Sequence, residues 1–415
     1  MVKEVVIIGG GFGGVRVAQN LARRARGIHI TLIDKEYYHT FHPALYEIAT
    51  ADLPETFRHS PIEFHKLRSA ASYPLVDIFL RDLNVTVVRG TVTGIDFKNQ
   101  KALLESGVMY PYDALVLAVG SETNYFGIEG LSPHALPLKT LWDALSVRNA
   151  LDEAFARTPK QKRLSIVIGG GGFTGCEFAG ELAFFVKKLE EKHGRQKKST
   201  EIIVVEASAA LIGGARVWVR RAAKKRLEAL GITLMLERPI TKVADSSLFL
   251  QDSSAVPFDV LIWTAGVRAN SFTKTCAGIQ LQKNFCMCVD QYLRALPHEN
   301  VFGVGDATYC INDATGTSHP MTATVALKEA EIAAYNIERL FAKKLLIAFV
   351  YTPPGFIVPL GGKYALFDSR LVKISGVLAW ALKHLVALHY WVSLIGLRRG
   401  YKVWRGSMGI FIKND

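Results

Sequence analysis

Cysteine is scarce, with five in 415 residues and no framework spacing, which argues against a small secreted domain held by cross-links. No HExxH and no paired CxxC occurs, so the pattern asks for no metal. A charge-free apolar run of the roughly 20 residues that a spanning helix needs is also missing. The longest apolar stretch, 377–395, is broken by Lys383, His384, His389 and Ser393 and reads as non-spanning. Acidic residues are in deficit, 37 against 50 Lys and Arg, for a net charge of +13. That excess favours an anionic partner, either nucleic acid or an acidic membrane surface. No recognised nucleic-acid module accompanies the charge, so nucleic acid is set aside. Met1-Val2-Lys3-Glu4 leads straight into an apolar strand pattern, which leaves no room for a signal peptide and predicts a cytosolic start. What is present is an ordinary globular composition, 49% hydrophobic and 21% charged, with 35 glycines that fall in clusters. The length suffices for two or three domains.

The apolar run 5–8 ends in Gly9-Gly10-Gly11-Phe12-Gly13-Gly14, followed by a helix-compatible segment 15–26 and a second apolar run 29–34. Strand, glycine turn, helix, strand is a βαβ unit of a parallel sheet. The pattern recurs at 164–168, a glycine turn 169–175, a helix through 176–182 and a strand 202–206, with a polar helix end and loop over 187–200. Between the two units, 84–88 and 91–97 read as meander strands, and 114–120 as a buried parallel strand returning to the first sheet. Segment 259–266 plays the same part for the second unit, and 301–306 is a short strand ending in Gly305-Asp306. From Tyr351 onward, Pro, Gly, aromatic and basic residues mark a separate C-terminal region.

The first turn is Gly9-x-Gly11-x-x-Gly14, with Asp34 about 20 residues beyond its last glycine. The glycines allow a tight turn, close approach of backbone to a pyrophosphate, and close helix–strand packing. Helix N–H groups and the dipole then face the phosphates. Asp34 is placed to accept from a ribose diol. The second turn is Gly170-x-Gly172-x-x-Gly175, with Glu206 closing the next strand. An acid there suits an unphosphorylated ribose, and Ala207-Ser208-Ala209 offers no arginine for a 2′-phosphate, so NADH is expected rather than NADPH. Two dinucleotide sites imply two dinucleotides, a tightly held flavin and an exchanging nicotinamide.

Further segments resemble the type II NADH dehydrogenases. They are Tyr38-His39-Thr40-Phe41-His42-Pro43-Ala44-Leu45-Tyr46-Glu47-Ile48-Ala49, the stretch 112–127, Pro137-Leu138-Lys139-Thr140, Gly172-Phe173-Thr174-Gly175-Cys176-Glu177, the stretch 263–270, and Gly303-Val304-Gly305-Asp306-Ala307. The resemblance runs through essentially the whole chain in order. It implies an α/β fold with two Rossmann-like dinucleotide-binding domains of the flavoprotein disulfide-reductase type and a C-terminal membrane-contacting region. The FAD-binding domain would be discontinuous, 1–137 and 272–345, with NADH bound by 138–271 and the membrane region at 346–415. The implied activity is FAD-dependent NADH:quinone oxidoreduction without proton pumping. Carried over by position, Gly9, Gly11, Phe12, Gly13, Gly14, Asp34, Lys35, His42, Pro43, Gly120 and Asp306 would bind FAD. Gly170, Gly172, Phe173, Thr174, Gly175, Glu177, Glu206 and Gly266 would bind NADH. Glu177 would be the carboxylate near the nicotinamide, the plainer alternative being an acid that complements a helix dipole.

Two departures stand out. Ala323-Thr324-Val325-Ala326-Leu327-Lys328-Glu329 replaces the family's alanine–glutamine motif at the quinone tunnel. Ala323, Ala326 and Leu327 are placed to line that tunnel, but Thr324 stands where a glutamine is expected. Val119 replaces a frequent threonine. In the turn Gly361-Gly362-Lys363, Lys363 is either a contact for the flavin or quinone or a surface lysine. Cys286-x-Cys288, Cys310 and Cys176 show no redox-pair arrangement, and Cys176 is expected to pack at a helix start.

At the C-terminus Arg398, Arg399, Lys402 and Arg405 fall on one helical side, with Val403 and Trp404 opposite. Trp380, Tyr390, Trp391, Tyr401 and Trp404 supply interfacial rings. Attraction of anionic lipid, roughly 1 kcal/mol per basic residue, predicts a peripheral anchor on the cytoplasmic face of the cell membrane. A homodimer contact or a core-capping helix pair are the alternatives. Three other functions stay open: a same-fold flavin reductase with a soluble acceptor, a sulfide:quinone reductase, and a redox-sensing NADH-binding flavoprotein.

Overall fold

The computed structural model describes residues 2–24, 26–52, 61–312 and 316–412, with side chains from 65 onward in the third of these segments. The chain divides into two compact units. The first contains Met1–Thr40, Ser72–Glu122 and Val267–Thr352; the second contains Phe41–Ala71, Thr123–Gly266 and Pro353–Asp415.

The first unit is built on a five-stranded parallel sheet in the order Val301–Gly303, Ala114–Leu117, Lys3–Ile8, Ile28–Asp34, Val85–Arg89. Its inner strands are continuous apolar runs because both faces are covered. Val5, Ile7, Ile30, Leu32 and Leu115 are all fully buried. The helices Phe12–Arg24 and Ala323–Phe341 pack against each other. Chain order reverses on either side of Lys3–Ile8, so the first glycine turn leaves the sheet at a switch point, where α/β sheets bind ligands.

Two expectations change. Residues 85–89 do not start a meander: they pair in parallel with Ile28–Asp34, from Ile30 opposite Val85 to Asp34 opposite Arg89. As the sheet's edge strand it keeps only partial cover, and its half-exposed residues give the alternation that a meander would also give. The meander begins at Val92–Asp96 and continues through Lys101–Leu104 and Met109–Pro111. The first helix ends at Arg24 rather than Arg26, Ala25 lying outside the described residues.

The second unit repeats the plan with parallel strands in the order Leu136–Pro137, Val260–Trp263, Leu164–Gly169, Thr200–Val205, Thr233–Met235. The helix Phe173–Lys192 follows the second glycine turn, and its end is fixed by Arg195, whose guanidinium donates to the carbonyls of Thr158 (2.7 Å) and Lys162 (2.5 Å). The C-terminal part of this unit is an antiparallel sheet, Phe356–Pro359, Ala365–Asp368 and Lys373–Gly376, followed by the helices Val377–Ile395 and Leu397–Phe411. Asp368 is buried there and accepts from Arg216 Nε (2.7 Å) and Trp218 Nε1 (3.0 Å).

The helix Val377–Ile395 has the length and apolar composition to cross a bilayer. Its sides differ. Phe41 stacks on Tyr390 with centroids 5.1 Å apart, and Trp391 is buried. Lys383, in mid-helix, reaches Glu47 Oε1 at 2.6 Å. The opposite side leaves Leu378, Leu385 and Val386 exposed. On the last helix Gly400, Ser407 and Phe411 are buried while Arg398, Arg399, Lys402 and Arg405 are exposed, as the angular pattern predicts. Ser407 Oγ ties this helix to the Ala70 carbonyl at 2.7 Å.

Candidate dinucleotide sites

In the first turn each glycine has a separate reason. Gly9 has φ +110°, and a Cβ there would lie 2.2 Å from the Ala118 carbonyl oxygen. A Cβ on Gly14 would lie 1.9 Å from the Gly9 oxygen, so helix and strand touch through this pair. A Cβ on Gly13 would meet Val304 Cγ2 at 2.9 Å. Gly11 differs, because a Cβ there meets nothing within 4 Å. Packing therefore gives no reason for a glycine at 11; open space beside a helix N-terminus does, if a pyrophosphate fills it.

Gly10 is held from both sides. Its N–H donates to Asp34 Oδ2 at 2.5 Å, and its carbonyl lies 2.9 Å from Nδ1 of the buried His39. Asp34 also accepts from the Glu36 N–H at 2.7 Å. Burial pushes the Asp34 carboxyl up against these donors, and pushes His39 down to about 4. His39 is thus neutral near pH 7 and donates from Nδ1. Phe12 meets its ring edge-on at 5.3 Å. Lys35 is exposed, its carbonyl 3.3 Å from Arg89 Nε. Gly120 has φ +67° and accepts from the Asn270 N–H at 3.0 Å. Asp306 sits on the one-turn helix Gly305–Ala307 and accepts from Ser121 Oγ at 2.5 Å.

The second turn repeats this geometry. Gly170 has φ +109° with Ala265 Cα 2.5 Å from a notional Cβ, Gly175 would meet the Gly170 oxygen at 1.9 Å, and Gly172 again faces open space. The Gly171 N–H donates to Glu206 Oε2 at 2.6 Å, while Ser208 donates to Oε1 from its N–H (2.8 Å) and hydroxyl (2.6 Å). Arg238 is a basic residue that sequence reasoning overlooked here: its N–H donates to the Glu206 carbonyl at 3.0 Å. Its guanidinium is engaged by Asp252, as expected if no 2′-phosphate needs it. Phe173 is partly exposed and meets Phe356 edge-on at 5.1 Å, and Thr174 is exposed beside it. Gly266 accepts from the Asn124 N–H at 3.1 Å, and Phe126 would lie 2.9 Å from a Cβ on it.

Glu177, on the first turns of the helix Phe173–Lys192, shares its surroundings with Lys383 and Glu47. Burial pushes its carboxyl up to about 8; the Lys383 charge opposes this and Glu47 adds to it. Sequence reasoning gave Glu47 and Lys383 no role at this carboxyl. The available signal was the lysine within an apolar helix, since such a charge needs a partner. His42 and Pro43 open the one-turn helix His42–Ala44 in the same unit.

The helix Ala323–Phe341 is capped by Thr322 Oγ1 accepting from the Val325 N–H at 3.4 Å. Ala326 Cβ faces Gly305, 3.5 Å from a notional Cβ there. Ala323 and Leu327 are partly buried. Thr324 Oγ1 lies 3.0 Å from the Tyr351 hydroxyl and 3.1 Å from Thr322 Oγ1. Lys363 is in the second unit and exposed, following a turn pressed so closely on the helix Phe173–Lys192 that a Cβ on Gly361 would lie 2.1 Å from the Gly180 oxygen. The five cysteines are free thiols; Cys176 is fully buried, and burial pushes its thiol and those of Cys276 and Cys286 up, away from a reactive thiolate. Among the described residues no group of His, Cys, Asp and Glu could hold a metal ion.

Two parallel sheets, each with a glycine turn whose middle N–H is bound by an acid from the next strand, define an oxidoreductase-type protein with two dinucleotide sites. The chain belongs to the pyridine nucleotide-disulphide oxidoreductase family, whose model matches residues 3–330. It is 28% identical over 387 residues to a type II NADH:quinone oxidoreductase of Haemophilus influenzae, covering 88% of this chain and 86% of the relative. The protein of that name from Staphylococcus aureus is 27% identical over 405 residues, covering 90% and 96%. In fold the chain is similar to NDH2 from Plasmodium falciparum in complex with NADH, with TM-score 0.83, 19% identity and 98% of both chains covered. It is also similar to the sulfide:quinone oxidoreductase of Aquifex aeolicus, with TM-score 0.75, 22% identity, and 97% and 92% covered.

Proposed function

We propose that this chain is an FAD-dependent NADH:quinone oxidoreductase that does not pump protons. The observation that carries the reading is the duplicated turn. Gly11 and Gly172 leave open space at two helix N-termini, and Asp34 and Glu206 fix the peptide beside each. These residues fit FAD at the first turn and NADH at the second. When bound, FAD supplies the two-electron carrier, taking hydride from NADH and passing electrons to the quinone.

The protein binds, orients and excludes water. Gly9, Gly11, Phe12, Gly13 and Gly14 hold the FAD pyrophosphate, Asp34 takes the ribose diol, and Asp306 takes the ribityl side. Lys35, His42, Pro43 and Gly120 complete that site. Gly170, Gly172, Phe173, Thr174, Gly175, Glu206 and Gly266 hold NADH. Glu177 keeps a proton on its carboxyl near neutral pH and stands by the nicotinamide. Ala323, Thr324, Ala326, Leu327 and Lys363 serve the acceptor, with a threonine–tyrosine hydroxyl pair where the family has an amide.

FAD belongs to a domain of 1–137 and 272–345, NADH to 138–271, and membrane contact to 346–415. Contact is peripheral, on the cytoplasmic face: exposed Leu378, Leu385 and Val386 enter the apolar layer while Arg398, Arg399, Lys402 and Arg405 meet anionic headgroups. A homodimer through the same helices is the second reading of that surface.

The test is anaerobic mixing of the purified protein in detergent with NADH, then with a short-chain quinone, while flavin absorbance is followed. Bleaching by NADH and repeated reoxidation by quinone supports the proposal. Bleaching without reoxidation overturns the quinone role and leaves a soluble acceptor, the reading that Thr324 keeps open, or a redox sensor. Bleaching by sulfide would point to sulfide:quinone reduction.

A further inference from the structure

Glu329 is a buried acid with no part in the chemistry above. It lies on the helix Ala323–Phe341, one turn beyond Ala326, and its side chain is 1% exposed. Its Oε2 accepts from the Gly305 N–H at 2.6 Å. Thr308 Oγ1 donates to the Gly305 carbonyl at 2.8 Å and lies 3.5 Å from Glu329 Oε1. Side chains therefore hold both polar groups of Gly305, a residue at φ +78°. The next residue is Asp306, whose carboxylate accepts from Ser121. The position of Asp306 is thus set from two sides, by Ser121 on its carboxylate and by Glu329 on the turn that bears it.

A carboxyl is an expensive way to accept one N–H in a buried place, because its charged form is poorly solvated there. Burial, with the Asp306 charge adding to it, pushes Glu329 up to about 8, so it is a neutral acid at pH 7. Asp306 is the charged group that acts on it. The buried residues of the helix Phe12–Arg24, packed on the same helix, are Gly13, Gly14, Val15, Val17, Ala18, Gln19, Asn20 and Leu21, none of them ionisable. Ionisation would place a second negative charge directly behind the turn that presents the first.

We propose that Glu329 is a positioning residue of the flavin site: its carboxyl fixes the Gly305 peptide so that Asp306 is presented to the flavin's polar chain. This rests on the FAD reading above. The test measures FAD dissociation by the recovery of free-flavin fluorescence, and the melting of the flavin-free protein, for the full-length wild type, Glu329→Gln and Glu329→Ala. A glutamine can accept the same N–H without a charge. We expect Glu329→Gln to retain FAD as the wild type does at pH 7, and Glu329→Ala to release it about tenfold more readily, an orphaned buried N–H being the cause. Raising the pH from 7 to 9 should loosen FAD in the wild type and not in Glu329→Gln. Equal retention in all three proteins, or the same pH dependence in wild type and Glu329→Gln, overturns the proposal while leaving FAD in place. A wild type that binds no FAD overturns the functional reading and this inference with it. If Glu329→Ala fails to fold, the pH comparison of wild type with Glu329→Gln decides alone.

Discussion

Replacing Lys383 by methionine tests whether the middle of the helix Val377–Ile395 is anchored inside the protein. Lys383 Nζ lies 2.6 Å from Glu47 Oε1, with side-chain exposures of 16% and 9%. Methionine keeps the apolar stem and removes the charge that faces the buried Glu47. Breaking a buried pair at one end costs about 3 kcal/mol or more, which corresponds to a fall in melting temperature of roughly 3 °C or more. Adding Glu47→Gln removes the charge that Lys383 no longer offsets, so the double variant should melt above Lys383→Met. The same substitutions move Glu177 in opposite directions. Without Lys383 its carboxyl rises above about 8; without Glu47 it falls, because those two charges act on it with opposite sign. A carboxyl raised in the folded state contributes fully below its unfolded pKa and loses that contribution as the pH climbs through the folded value. The stability gained by Glu177→Gln should therefore grow from about pH 4.5 to about pH 8 in the wild-type background, and continue to a higher pH in Lys383→Met. Calorimetric melting from pH 5 to pH 9 reads both effects. A double variant no more stable than Lys383→Met, with an unmoved Glu177 profile, would refute the reasoning.

The other substitutions separate the sites. Gly11→Ala should leave the flavin-free protein's melting within about 0.5 kcal/mol of wild type yet weaken FAD retention, whereas Gly14→Ala should unfold the first unit, since its Cβ would lie 1.9 Å from a carbonyl oxygen; melting with and without added FAD distinguishes them. Glu206→Ser should raise the KM for NADH about tenfold or more, by loss of a charge-assisted bond, and bring NADPH closer to NADH in steady-state kinetics. His39, pushed down to about 4 by burial, is neutral in the fold; its contribution is complete above about pH 6.5 and is lost as the pH falls towards 4, so His39→Gln should flatten the acid limb of a melting profile. Thr324→Val should change the KM for quinone without changing the rate of flavin bleaching by NADH; a change confined to the NADH step would remove Thr324 from the acceptor site.

The dinucleotide turns were legible because they are local. Gly9, Gly11, Gly14 and Asp34 span a single βαβ unit, and the physical demands on them are written into their spacing. What stayed hidden needed contacts between distant parts of the chain. Glu47 and Lys383 are separated by 336 positions, and no periodicity connects them. Glu329 closes a motif whose informative positions are its alanines and threonine, and nothing in its spacing points to Gly305, 24 positions earlier. Arg238 lies 32 positions beyond Glu206 in sequence, and only the fold brings its N–H onto the Glu206 carbonyl. The edge strand Val85–Arg89 was misjudged because half-exposure at the edge of a parallel sheet gives the same alternation as a solvated antiparallel strand.

The near-identity of the two turns carries a further consequence. With Gly9 and Gly170 at φ +110° and +109°, and a Cβ on Gly14 or Gly175 equally excluded at 1.9 Å from a carbonyl oxygen, the glycine geometry cannot be what makes one dinucleotide stay and the other exchange. The difference must lie in what surrounds the turns. At the first, the middle carbonyl is bound by the side chain of a buried histidine and a second turn presents Asp306. At the second, the middle carbonyl is met by the Ile212 N–H at 2.8 Å and by Cys176 Sγ, while the acid is shared with the exposed Ser208. On the proposed reading, a ligand at the first turn would be held by two separate segments of chain, and both would have to yield before it leaves. On the same reading, the corresponding contacts at the second turn would come from the turn and the strand end beside it, so fewer of them would need to break together.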